Sequence, residues 1–310
     1  MIGWLATTDY DWFCHLRTLG APEEVNFWQP SDSQAFHALQ TGEPFFFKLK
    51  SPHNAVAGFG YFVRMSALPA WLAWDSFGPA NGAPDFASMR ARVERYRTGH
   101  FRDPAGNYQI GCRLLAQPVF FPDELWVRQP ADWGKNIVQG KRYALESGEG
   151  RRIWESCQAA AAQLKRLLPL PSVRDGGPRY GSSQLVMPRL GQGGFRIAVI
   201  ESYARACAVS SEHSLPALEA AHIKPYADEG EHRVSNGLLL RSDMHRLFDR
   251  GYVTVTPEHR IEISRRLQED YHNGRSYRDF HGKVIALPAK RADHPDPEML
   301  AWHNENRYLG

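Results

Sequence analysis

Four side chains in the C-terminal third of this 310-residue chain have the types and spacing to act together on one bond. His222, Asn236, His245 and Asp249 fall within LEAAHIKPYADEGEHRVSNGLLLRSDMHRLFDRG, Leu218 to Gly251, whose pattern reads as strand, turn, strand and helix. An imidazole titrates near neutrality and can take or give a proton. His245 and Asp249 are four residues apart on the helix, so they share a face about 6 Å apart along the axis and can share a cation. Glu219 alternates to the same side of its strand as Ala221, which makes it a further candidate carboxylate for that ion. Ser235, Asn236 and Gly237 are turn formers. Bland roles compete with these: a lone histidine in an apolar strand is commonly a core residue, and Glu219 suits a surface salt bridge as well as a ligand role. His213, His232 and His259 fall in turns and read as solvated.

The order of these residues resembles the site of HNH nucleases. The resemblance extends upstream into QGGFRIAVIESYARAC, Gln192 to Cys207, which is similar to the lead-in helix and Cys of bacterial HNH endonucleases of the restriction type. It covers roughly the last third of the chain. The resemblance implies a ββα-metal fold that hydrolyses a phosphodiester with a histidine base and a divalent cation, Mg2+ or Mn2+. By position in the motif, His222 is the base and His245 a metal ligand, with Asp249 and Glu219 as the carboxylates nearby. Asn236 belongs to the catalytic set in a structural role, holding the hairpin loop by side-chain hydrogen bonds. One departure matters: many members carry Asp or His immediately before the base, where this chain has Ala221. The first ligand is therefore open between Glu219 and a site of His245 and Asp249 completed by water and substrate oxygens, an arrangement that suits a magnesium-like cation.

A chain of this length makes about two domains, and its 43% apolar residues can bury a core in each. The net charge of +3 is small, so any nucleic-acid surface has to come from clustering. Clusters occur at Lys135, Lys141 and Arg142, at Arg151, Arg152, Lys165 and Arg166, and around the motif at Arg241, Arg246, Arg250, Arg265 and Arg266. Such runs are most often solvated faces, but arginines beside a phosphate site can grip a backbone. Cys14, Cys112, Cys157 and Cys207 form no CxxC pair, which argues against a disulfide framework or a zinc knuckle and fits a reducing cytoplasm. The N-terminal MIGWLATTDYDWF has no basic region followed by a long apolar run, and no stretch of about 18 apolar residues occurs, so neither secretion nor a membrane span is expected.

Upstream of the motif the chain reads as β-rich, with strands at Ile2–Thr7, Pro44–Lys50, Ala55–Val63 and Ile110–Val119 and helices at Ser88–Arg97 and Gly150–Leu168. Residues 169–190 are rich in Pro, Gly, Ser and Arg, which is linker composition, and separate 1–168 from 191–310. Beyond the motif, Tyr252–Thr256 and Arg260–Ser264 read as a hairpin. The aromatic runs TTDYDWF, NFWQP, EPFFFKLKSP and AVAGFGYFV resemble the start of a PUA-like domain, the small pseudo-barrels that include SRA, EVE and YTH modules. That resemblance, carried by strand order and these few motifs, implies a reader that holds a modified or flipped base between aromatic rings. Asp11, Trp12, Trp28 and Gln29 would supply stacking and hydrogen-bonding groups from two short loops. The competing assignment for both tryptophans is barrel core. Lys48 and Lys50, on the opposite parity to Phe47, are expected along one exposed strand face.

The combined expectation is an α+β protein with an N-terminal PUA-like β-barrel with helices (1–168), a linker (169–190) and a C-terminal ββα-metal HNH nuclease domain with an extension (191–310). By resemblance to reader–nuclease fusions it is a modification-dependent endonuclease acting on double-stranded DNA that carries methyl- or hydroxymethylcytosine. A single HNH site cuts one strand, so a double-strand break calls for a homodimer or two binding events. Two other readings stand beside it: an HNH nuclease indifferent to modification, and a DNA-binding protein with a degenerate HNH fold, prompted by Ala221.

Overall fold

The computed structural model describes residues 1–31, 36–97, 103–167, 190–272 and 275–310. The chain divides into two compact units, Met1–Gly191 and Gln192–Gly310. Apart from Leu190, the run read as a linker lies outside the described residues.

The first unit runs β1 (Ile2–Thr8), α1 (Tyr10–Thr18), β2 (Glu24–Gln29), β3 (Pro44–Leu49), β4 (Ala55–Pro69), α2 (Ala70–Phe77), α3 (Phe86–Arg95), β5 (Gln109–Phe120), β6 (Val127–Arg128), β7 (Gly140–Ala144) and α4 (Gly148–Leu167). Its strands form one mixed sheet in the order β2-β5-β4-β3-β1-β7, with β6 paired to β4. β1 and β3 run parallel and the other pairs antiparallel. Alternation sorts the side chains between two cores. Leu5, Phe46, Val56 and Phe59 pack with Ile153 and Cys157 of α4, whereas Phe45, Phe47 and Leu49 pack with Trp12, Phe13 and Leu16 of α1.

Three expectations change here. The sheet path ends at β2 and β7, so the described residues draw an open sheet and not the closed barrel that the PUA-like resemblance implies. A barrel packs one face of its sheet against itself; here α1 and α4 cover opposite faces. Second, Asp11 and Trp12 lie on a helix and Trp28 and Gln29 on a strand, not in two short loops. Asp9 caps α1 by accepting the Trp12 N–H at 3.0 Å, and the spacing of Trp12, Phe13 and Leu16 gives that helix a buried face. Third, Lys48 is buried, because helical cover on both sheet faces leaves β3 no solvent side. Its ammonium lies 4.9 Å from the Trp133 ring centre, and desolvation lowers its pKa.

The second unit comprises α5 (Gln192–Ser202), β8 (Leu218–His222), β9 (Gly237–Arg241), α6 (Ser242–Asp249), β10 (Val253–Val255), β11 (Ile261–Ile263), α7 (Arg266–Tyr271), α8 (Arg275–Arg278) and α9 (Pro297–Asn306). β8 and β9 pair antiparallel with His222 opposite Gly237 and Glu219 opposite Leu240; β10 and β11 form a second hairpin. α5 is buried from Gly193 to Ile200 except at Arg196. It approaches the hairpin so closely that a Cβ on Gly237 would lie 2.5 Å from Val199 and 3.0 Å from Phe195. Helix α6 follows β9 directly, turning Met244 and Phe248 into the core and leaving His245 and Asp249 on its other side. It stops at Gly251, whose φ of +76° favours glycine and where a Cβ would overlap the Arg307 carbonyl.

α9 anchors α6 through His303, which is 2% exposed. Its Nδ1 accepts the Thr254 hydroxyl at 2.8 Å and its Nε2 donates to the Phe248 carbonyl at 3.1 Å, while its ring stacks on Phe248 with centroids 3.7 Å apart. That pattern requires the neutral ring, and burial pushes its pKa down to about 4. An unfolded histidine protonates near pH 6.5, so as pH falls from there toward 4 the unfolded chain takes up a proton that the folded chain refuses. The His303 contribution is therefore whole above pH 6.5 and falls by about 3 kcal/mol on the way to pH 4. Urea titrations at about pH 7 and about pH 4.5 should show a larger acid loss of stability in the wild type than in His303→Phe, which has no ring nitrogen to protonate; equal losses would remove His303 as the source.

Candidate active site

Within the second unit, β8, α6 and α5 line an open cavity of about 520 Å³, with His222, Glu219, His245, Asp249, Arg196 and Arg307 among its walls. The strand, turn, strand and helix expected from the sequence thus bring His222, Glu219, His245 and Asp249 to one concavity. Asn236 is not part of its wall. Its amide is fully buried and stitches the loop 223–236: Oδ1 accepts the Lys224 N–H at 2.9 Å, and Nδ2 donates to the carbonyls of Lys224 at 2.9 Å and Glu231 at 3.0 Å. Its backbone carbonyl also accepts the Ile223 N–H at 2.9 Å. Its side chain bonds only the loop backbone, and it meets the cavity wall through Ile223.

His222 is held from two sides. Phe195 of α5 lies nearly parallel to its ring, with centroids 3.9 Å apart and planes at 16°. Its Nε2 is 2.9 Å from Nδ1 of His232, a residue that the sequence reading leaves in a solvated turn. His232 in turn stacks on Tyr226 at 4.6 Å and 3°. Burial lowers the His222 pKa to about 4, helped by repulsion from His232 and His245, so the ring is neutral at pH 7 with a lone pair on one nitrogen. No short-range signal in the sequence connects His232 with His222. The clue available was its position inside the loop that Asn236 closes.

His245 lies between two carboxylates. Its Nδ1 is 2.6 Å from Glu219 Oε2, and its Nε2 is 3.3 Å from Asp249 Oδ2. Burial raises the Glu219 pKa, but the hydrogen bonds from His245 and Ser242 and the charges of His245 and Arg246 outweigh it and leave the net shift downward. Asp249 shifts the other way: desolvation comes first and the Glu219 charge adds to it, against the pull of His245 and Arg307. The Asp249 side chain keeps 56% of its surface exposed, so its carboxylate remains open to a ligand. Two carboxylates converging on one imidazole make a site of negative character.

That character bears on the expected metal. Among the described residues no group of three or more His, Cys, Asp or Glu side chains is arranged to hold a metal ion. A smaller donor set fits one. In the neutral tautomer that donates Nδ1–H to Glu219, the His245 Nε2 lone pair faces an Asp249 oxygen at 3.3 Å, just beyond the usual hydrogen-bond range of about 2.7–3.2 Å. One nitrogen and one oxygen donor can take a hydrated divalent cation that fills its other positions with water and phosphate oxygens. Glu219, expected as a ligand, sits instead on the opposite ring nitrogen, where a carboxylate orients a ligating histidine.

Of the motif arginines, Arg241 is bound to Asp243 at 2.5 and 3.0 Å, and Arg266 pairs with Asp270 at 3.4 Å. The guanidinium groups lining the cavity are those of Arg196, from α5, and Arg307, beyond α9, which also bonds Asp228 at 2.8 Å.

The four residues expected to recognise a base differ in burial and in their partners. Trp12 is 3% exposed, donates its indole N–H to the Asn26 carbonyl at 3.3 Å and packs edge-on against Phe27, Phe47 and Phe120. It is a core residue. Trp28 is half-buried and donates to the Asn81 carbonyl at 3.0 Å. Asp11 is exposed in the first turn of α1. Gln29 accepts from Arg113 at 2.7 Å; that guanidinium is buried, lies 4.5 Å from the Phe36 ring centre and has its pKa lowered to about 10 by desolvation.

The second unit thus presents a strand hairpin followed by a helix, with His222 closing the first strand and His245 on the helix side that faces the cavity. Residues 207–256 match the family model for HNH endonucleases, HNH_2, so this segment carries an HNH endonuclease domain. No curated protein matches the chain. Solved structures with some likeness include a ZmASCH mutant protein from Zymomonas mobilis, at 11% identity over 49% of this chain and 96% of that one with a TM-score of 0.31. A modification dependent TagI restriction endonuclease is 11% identical over 94% of this chain and 78% of that one, with a TM-score of 0.29. At those scores neither likeness fixes the architecture. Among the described residues no helix is long and apolar enough to cross a membrane.

The stitch by Asn236 is open to test. Asn236→Ala leaves the N–H and carbonyl of Lys224 without partners and takes one of two donors from the Glu231 carbonyl, which keeps the Arg233 N–H, and should lower stability by about 3 kcal/mol and raise amide exchange across 223–236. Unchanged exchange there would mean that the loop is held by other contacts.

Proposed function

We propose that this protein is a divalent-metal-dependent DNA endonuclease whose first unit selects DNA containing a modified cytosine. The observation that carries the nuclease half is the convergence of His222, His245 and Asp249 on one arginine-lined cavity inside the segment that matches HNH endonucleases.

The residues divide the work of phosphodiester hydrolysis. His222, neutral at pH 7, takes a proton from the attacking water. Arg196 and Arg307 face the charge of the phosphate. His245 and Asp249 would hold Mg2+ or Mn2+, and Glu219, 2.6 Å from Nδ1, would fix the His245 ring. When bound, the cation neutralises charge on the phosphate and the leaving oxygen. Asn236 acts through the loop it closes.

The reader half is supported by a separate compact unit with an aromatic core, which bears Trp28 and the Gln29–Arg113 pair on adjacent strands. In this reading 5-methyl- or 5-hydroxymethylcytosine is flipped out of double-stranded DNA and recognised there, with Trp28, Gln29 and the exposed Asp11 as contacts and Trp12 as the core beneath them. One HNH site cuts one strand, so a double-strand break takes a homodimer or two binding events.

Matched plasmids containing cytosine, methylcytosine or hydroxymethylcytosine, incubated with Mg2+ or Mn2+ and with a chelator control at fixed salt, test both halves. Cutting is expected only of modified DNA and only with the metal. Equal cutting of all three would remove the reader and keep the nuclease, and binding without any cutting would favour the degenerate HNH fold suggested by Ala221. His222→Ala should slow cleavage about 100- to 10,000-fold with DNA binding retained, and His245→Ala should raise the metal concentration needed for half-maximal rate. Trp28→Ala should weaken binding of modified DNA selectively; an equal loss on every DNA would make it a folding residue.

A further inference from the structure

A base needs its lone pair on the nitrogen that meets the water, and a neutral imidazole has one such nitrogen at a time. Which one it is depends on the hydrogen bond made by the other. Nε2 of His222 is committed to Nδ1 of His232 at 2.9 Å, so Nδ1 is the nitrogen left for the cavity. Two neutral arrangements of the pair are possible. If His232 donates Nδ1–H to His222, the proton of His222 sits on its own Nδ1 and no lone pair faces the water. If His222 donates Nε2–H to His232, the Nδ1 lone pair is free.

We propose that His232 is a positioning residue that accepts the Nε2–H of His222 and so holds the tautomer in which Nδ1 can act as the base. What the lone pair is used for rests on the endonuclease reading above; the pairing itself rests on geometry. Each ring has its own aromatic support. Phe195 lies 3.9 Å from His222 at 16°, and Tyr226 lies 4.6 Å from His232 at 3°, so each stack fixes the plane of its imidazole and the hydrogen bond fixes which edge faces the partner. The partner is also anchored in sequence: His232 belongs to the loop whose carbonyls at Lys224 and Glu231 are tied to Asn236. A second imidazole serves here as an acceptor in the way that a backbone carbonyl or carboxylate does for other reactive histidines.

The test uses the full chain and two variants. His232→Phe keeps a ring over Tyr226 but cannot accept, and His232→Asn restores an acceptor oxygen. With a DNA substrate that the wild type cuts, His232→Phe should lower kcat about 10- to 100-fold, the usual loss when the partner of a reactive histidine is removed. KM and DNA binding should stay near wild type, and His232→Asn should recover part of the rate. Independently of cleavage, 15N spectra of histidine-labelled wild type should show the His222 proton on Nε2, and that population should shift in His232→Phe. A His222 proton on Nδ1 in the wild type, or full kcat in His232→Phe, overturns the proposal. Absence of cutting by the wild type on any DNA counts against the endonuclease reading alone, and the 15N spectra then decide the pairing.

Discussion

The mutual position of His222 and His232 hangs from the buried amide of Asn236. A hairpin whose strands are joined by residues 223–236 surrenders more chain entropy on closing than a tight turn does, and local turn chemistry alone does not close it. Three side-chain hydrogen bonds and one from the backbone carbonyl seal that loop from inside. Because His222 closes β8 immediately before the loop and His232 stands within it, their mutual position depends on that seal. Unlike a surface contact, a buried amide with every bond made to backbone cannot drift without leaving polar groups dry and unpaired.

A second economy lies in α6. One short helix directs Met244 and Phe248 into the core and His245 and Asp249 into the cavity, so the packing that stabilises the helix also aims its polar side chains. Electrostatics then separates the two carboxylates at His245. Glu219 is held ionised by hydrogen bonds, while Asp249 is pushed toward its neutral form by burial and by its neighbour's charge. Such a pair is at ease only with added positive charge close by, and Arg307 on the cavity wall supplies part of it.

Local patterns were legible in the sequence and long-range returns were not. The order of strand, turn, strand and helix at 218–249 follows from residues close together in the chain, and it brings His222, Glu219, His245 and Asp249 to one cavity as their spacing implies. His232 and Arg196 escaped because their place in the site is set by the course of a loop and by a helix packed from upstream. In the first unit, β1, β3, β4 and β5 coincide with runs of aromatic and branched residues, whereas α1 and β2 were hidden in short aromatic motifs that read as loops. Lys48 shows how an alternation argument fails: it presumes that a strand has a solvent side, and β3 has none. Closure of a sheet is likewise a relation between its ends, here β2 and β7, on which no single strand carries information.

The anchoring of α6 by His303 has a consequence for the order in which the site comes into being. Synthesis delivers Leu218–Asp249 well before Pro297–Asn306, yet the Phe248 ring waits for His303 to cover it, and its carbonyl, which accepts the Gly251 N–H at 3.0 Å, gains its second donor only then. Until then the helix carrying His245 lacks its backing, and the nascent chain holds the parts of the candidate site without their alignment. The site is thus complete only once α9 has emerged and docked.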